Sequence, residues 1–185
     1  MVSPLCDIRS VEHKRNLTQI RLILAAFSAA LVLSGITAIF PLEGLRLLAP
    51  LYEPGSFLYR WWPEMAGWLA LVRTALGDVT ANYPFLLYGY DWLAFGHFII
   101  AIPFLIALRD PLSNAWVVPF GIAACLLVLP HAIVFGATRG IPLYWRFVDT
   151  LFGIGGLLLL LVIRKRLQSL SLESSPRQER DNNSM

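Results

Sequence analysis

"YGYDWLAFGHFIIAIPFLIALRDP", residues 88–111, decides how the rest of the chain is read. From Trp92 to Leu108 it contains no Asp, Glu, Lys or Arg. That length approaches the ~20 residues a helix needs to cross ~30 Å of hydrocarbon. A plain anchor has no use for Asp91 at one mouth of the run, or for His97 about two turns inside it.

Outward from this stretch lie three further runs of the same kind: "LILAAFSAALVLSGITAIF" at 22–40, "AWVVPFGIAACLLVLPHAIVFGA" at 115–137 and "LYWRFVDTLFGIGGLLLLLVI" at 143–163. The whole chain agrees with them. It is 57% hydrophobic over 185 residues, with a mean hydropathy of +0.63, whereas soluble domains are ~45–50% apolar. The expected fold is therefore all-α and integral to a membrane: a four-transmembrane-helix bundle with spans at about 22–40, 92–108, 115–137 and 143–163.

The charges give an orientation. Arg9, Lys14, Arg15 and Arg21 precede the first run, Arg109 follows the second, and Arg164, Lys165 and Arg166 follow the fourth. An even number of spans puts these on one side, and the positive-inside rule makes that side cytoplasmic, with both termini. The same placement makes the net charge of +3 an orientation signal rather than a nucleic-acid footprint. The first run also has the basic start of a signal peptide, but its 19 residues exceed the ~7–15 of a signal core. Ala26, Ala30, Ser34 and Ala38 place a small residue at every fourth position, which suits close helix packing. Residues 1–21 form a cytoplasmic segment and 164–185 a polar cytoplasmic tail without apolar periodicity, expected to be disordered. The two cysteines, Cys6 and Cys125, are expected to lie far apart in this arrangement and form no CxxC motif, which argues against dithiol exchange chemistry.

The loop at 41–91, on the extracytoplasmic side, is rich in Tyr, Trp and Phe, the residues of a membrane–water interface. Within it, Met65, Trp68, Leu69, Val72, Leu76 and Val79 recur at helical spacing, while Glu64, Thr74 and Asp78 lie off that stripe. The pattern predicts an amphipathic interfacial helix at about 63–79, lying over the bundle as a lid.

Depth along each span, at 1.5 Å per residue from its inner end (Arg109, Asn114 and Arg164), groups the polar residues. Asp149 falls ~7 Å below the outer boundary, His97 ~12 Å, His131 ~5 Å and Asp91 just inside. Asp91, His97, His131, Arg146 and Asp149 are thus candidates for one extracytoplasmic pocket. Asp149 is too short to reach the interface and should face the bundle, on a stripe with Arg146, Gly153 and Gly156. Plainer readings stand beside this one. Arg146 and Asp149, at i and i+3, can pair with each other. Each histidine can bond a carbonyl freed by a proline, Ile99 for Pro103 and Leu126 for Pro130. Asp91 can cap a helix start.

The stretches "YDWLAFGHFIIAIPFLIALRDP" and "LPHAIVFGATRGIPLYWRFVDTLFG" resemble uncharacterised bacterial multi-pass inner-membrane proteins. The resemblance implies location and build, and no activity. Vitamin K epoxide reductase-like four-helix proteins are similar in outline only, since they need paired cysteines. The expected role is an accessory or ligand-binding subunit, with the lipid bilayer, other membrane subunits or a second copy as partners and no nucleic acid. Two alternatives remain open. One is an enzyme or redox protein holding a metal on His97, His131 and Asp149, or a haem between the histidines. The other is a small oligomeric transporter, for which no inverted repeat is evident.

Overall fold

The computed structural model describes the backbone of residues 4–182 and the side chains of residues 11–170. Seven α-helices account for nearly all of it: α1 (Pro4–Ile39), α2 (Pro41–Tyr52), α3 (Phe57–Trp61), α4 (Pro63–Asn82), α5 (Tyr88–Ala107), α6 (Val117–Thr138) and α7 (Leu143–Asn182). A 3₁₀ turn, Pro84–Leu87, leads from α4 into α5, and no strand occurs among the described residues. Four segments are long and apolar enough to cross a bilayer: Val11–Ile39, Pro84–Ala107, Val117–Thr138 and Leu143–Leu170. They coincide with the four runs read from the sequence. Their outward faces carry Leu33, Ile36, Ile99, Leu127, Ile133, Leu151, Ile154 and Leu158, all exposed. Water would not tolerate such a surface, whereas hydrocarbon favours it. The chain is a multi-pass membrane protein. The prolines inside α5 and α6, Pro103 and Pro130, interrupt neither helix, as is common where neighbouring helices satisfy the freed groups.

The chain divides into two compact units. In the unit of residues 1–28 and 102–185, α6 and α7 form an antiparallel hairpin closed by Gly140 at φ +70° and by the Ile141 N–H donating to the Gly136 carbonyl at 2.9 Å. Glycines line their seam. A Cβ on Gly153 would stand 3.0 Å from the Cys125 carbonyl oxygen, and one on Gly156 would stand 2.9 Å from the Cys125 Sγ and from Phe27. Gly121 admits Leu160 and Phe104 in the same way. Phe27 of α1 packs on Phe104 with centroids 4.8 Å apart. Beside it on α1, Ile20 and Leu24 complete a buried stripe at four- and three-residue steps. The stripe of α7 continues through Leu160 and Ile163 to Leu167 and Leu170, so the helix persists beyond Arg164–Lys165–Arg166. The Arg166 Nη1 donates to the Asn16 Oδ1 at 3.0 Å. The side chains of Cys6 and of residues 171–182, and residues 183–185 altogether, lie outside the described set.

Between α5 and α6, Asp110 organises the turn. Its Oδ1 accepts the backbone N–H groups of Leu112 and Ser113, both at 3.2 Å, and its Oδ2 accepts the Ser113 hydroxyl at 2.6 Å. Those bonds, the hydroxyl first, hold its carboxyl below the ordinary carboxylate value, with a smaller contribution from Arg21.

In the unit of residues 29–101, α2, α3 and α4 pack around Ala49, Tyr52 and Ala66, flanked by Leu58, Leu69 and Ala70. Pro41 and Pro63 each occupy the first turn of their helix, with Glu43 and Glu64 beside them, which suits a helix start. The turn Glu53–Pro54–Gly55–Ser56 needs a glycine at φ +89°, and the Ser56 hydroxyl then caps α3 by accepting the Tyr59 N–H at 3.1 Å. The Tyr52 hydroxyl donates to the Leu45 carbonyl at 2.7 Å. Arg73 of α4 lies 5.6 Å from the Tyr52 ring centroid and donates to the Glu53 Oε1 at 2.9 Å, which ties α4 to the end of α2.

Two sequence expectations bear on these helices. Helix α4 covers the expected 63–79, and its stripe is buried at Met65 and Leu76 and half-buried at Trp68, Leu69, Val72 and Val79. Leu69 of that stripe packs against the core that α4 shares with α2 and α3. The small-residue stripe of α1 is its packing face only in part, with Ser34 and Ala38 half-buried. Ala26 and Ala30 are exposed, and the close approach comes at Gly35, where a Cβ would meet the Phe98 ring at 2.6 Å. The bulky stripe buries more area than the alanines would.

Gly153→Ala should lower the thermal midpoint in mild detergent, at a cost of roughly 1–3 kcal/mol, because the obstacle is a backbone carbonyl that cannot swing aside. Gly155→Ala, whose Cβ would meet nothing within 4 Å, should be neutral or gain up to about 1 kcal/mol of helix propensity. The Asp110 contribution is fully present above the ordinary carboxylate value and fades as pH falls through its lowered one. The gap in thermal midpoint between the natural chain and Asp110→Asn should therefore shrink on acidification over that range.

Candidate functional site

The five candidate residues fall in both units, Asp91 and His97 in one and His131, Arg146 and Asp149 in the other.

His97 lies on the inward stripe of α5 with the buried Ala94 and Ala101, at three- and four-residue steps. Those small neighbours let the imidazole reach α1. Its Nδ1 is 2.7 Å from the Leu93 carbonyl, and its Nε2 is 3.1 Å from the Ser34 hydroxyl. A carbonyl oxygen only accepts, so Nδ1 carries the proton, and in the neutral ring Nε2 accepts from Ser34. Both nitrogens are engaged, and the ring pins α5 to α1. Leu93 replaces Ile99 as the expected carbonyl partner, because a side chain at i reaches back toward the turn that precedes it. Asp91, six residues away, lies about 120° around the helix from His97 and is exposed. The two residues that drew attention in 88–111 thus do not share a face.

In the other unit, the Arg146 stem packs on Gly136, where a Cβ would meet its Cγ at 2.8 Å, and its Nε donates to the Ile141 carbonyl at 2.7 Å. The arginine therefore braces the α6–α7 turn from inside. The pair that its spacing from Asp149 allows is not formed among the described residues. His131 is exposed and stacks on Phe135 one turn on, with centroids 4.7 Å apart, rather than reaching the carbonyl freed by Pro130. Asp149 is the remaining polar group. It shares the face of Gly156, Leu160 and Ile163, at steps of seven, four and three, and all three of those are buried. Asp149 itself is exposed, so the inward face of α7 is open at this end.

Among the described residues, no three His, Cys, Asp or Glu side chains are grouped so as to hold a metal ion. His97 has already committed both ring nitrogens within its own unit. Ser34 appeared in the sequence only as a small residue. A hydroxyl facing inward in an apolar helix was the available sign of its role.

His97→Ala should remove two hydrogen bonds and leave the Ser34 hydroxyl without its partner. A loss of about 1–3 kcal/mol in thermal stability is expected. His131→Ala, at an exposed position, should stay within about 0.5 kcal/mol of the natural chain. Thermal unfolding of the two variants in the same detergent makes the comparison.

Compared with known proteins, the sequence matches no family model, and no curated protein or solved structure shows a significant match.

Proposed function

We propose that this chain acts by binding, as an accessory or ligand-binding subunit of a cell membrane, with both termini in the cytoplasm. The observation that carries the reading is Asp149, an exposed carboxylate on a helix face that is otherwise buried. A charge at membrane depth is costly, so such a group calls for a partner: a cationic or hydrogen-bond-donating ligand, or a polar side chain of a neighbouring subunit. The basic residues at the ends of the apolar runs support the orientation, which puts Asp149 on the extracytoplasmic side. Arg146 and His97 act as packing groups in this reading, holding the α6–α7 turn and the α1–α5 contact that frame the unit each belongs to.

The test uses Asp149→Cys in intact cells, in a chain with Cys6→Ser and Cys125→Ala. A membrane-impermeant maleimide applied from outside should label it, and labelling only after the inner face is opened would overturn the topology. In mild-detergent extracts, the natural chain should travel in a larger assembly, or retain a bound small molecule, that Asp149→Leu loses. Identical behaviour of the two chains would remove the binding role.

A further inference from the structure

Helix α2 has three faces. Leu42, Ala49 and Tyr52 are buried in the core it shares with α3 and α4. Glu43 and Arg46 form a polar edge, 3.9 Å apart. The third face is apolar and uncovered: Leu47 is 82% exposed, Leu51 60% and Leu48 47%. Phe57 and Trp61 of α3 are as open, at 70% and 77%, with ring centroids 5.6 Å apart.

We infer that this face of α2 and α3 lies in the hydrocarbon–headgroup boundary of the bilayer, as an in-plane wedge on which α4 rides. Chain connectivity supplies the occupant. Helix α1 ends at Ile39 and α2 begins at Pro41, so only Phe40 separates them. The first turn of α2 is therefore at the depth where the first span leaves the membrane. Ile36, Ile39 and Phe40, all exposed, continue the lipid-facing surface of α1 up to that point. The polar edge suits the same depth, since the arginine stem can lie along apolar surface with its head in the headgroups and Glu43 offsets its charge. Trp61 has the flat, amphipathic ring that favours this boundary. The inference rests on the multi-pass reading and gives α2 and α3 an interfacial role of their own.

Nitroxide labels on Leu47→Cys and Leu51→Cys test it, with Leu33→Cys and Thr74→Cys as controls. The background carries Cys6→Ser and Cys125→Ala, and the protein is reconstituted in phosphatidylethanolamine and phosphatidylglycerol vesicles. Oxygen, which concentrates in hydrocarbon, should collide with positions 47 and 51 several-fold more than a water-soluble nickel chelate does. The ratio should invert at Thr74. Nickel access at 47 and 51 equal to that at Thr74 would overturn the inference, and so would access by neither reagent, the sign of a second copy or another protein covering the face. A Leu33 label without preference for oxygen would overturn the multi-pass reading as well. Independently of the cysteine variants, brominated lipid should quench the tryptophan fluorescence of the natural chain more than that of Trp61→Phe. Equal quenching would count against the wedge.

Discussion

The approach of Gly153 to the Cys125 carbonyl oxygen is the contact on which the α6–α7 hairpin depends. Helices in hydrocarbon gain nothing from expelling water, because their surroundings are already apolar. They hold together through dispersion between surfaces that touch, and dispersion falls off within an ångström of a gap. Gly121, Gly153 and Gly156 bring the two backbones within that range, and Leu160, Phe104 and Phe27 fill what remains. The Arg146 brace and the Gly140 turn then have a fixed hairpin to close.

The second unit is built on a different principle. Its short helices have an interior of their own, with Tyr52 at the centre and Arg73 joining the polar end. The arrangement is that of a small soluble core, except that one side of it is left apolar. His97 and Ser34 add a polar tie between α1 and α5 where a wholly apolar contact would fix neither rotation nor register.

The four spans were legible because twenty apolar residues in a row admit few other structures, and α4 because its stripe repeats at helical spacing over about four turns. Helix α2 was not recognised. Gly44 and Pro50 are both helix breakers in water, and they obscured the start signals of Pro41 and Glu43. The site was less legible than the fold. Depth along a span follows from counting residues, but the direction in which a side chain points depends on helix rotation, which packing determines. Asp91 and His97 fall in the same outer half of their span by that count and lie on different faces for that reason. Asp149 was placed on the α7 packing face from Gly153 and Gly156, since glycines mark where a helix is touched, although nothing in the spacing showed that the face opens there.

The glycine seam has a chemical side. Cys125 is only 5% exposed, and its Sγ fits against Gly156 and beside Phe27. No oxidant or alkylating reagent reaches that sulfur until α6 and α7 part. The thiol therefore reports on the separation of the two helices: with a reagent that outpaces reclosing, its rate of modification in the folded chain is the frequency with which the seam opens, and with a slower one it follows the open population.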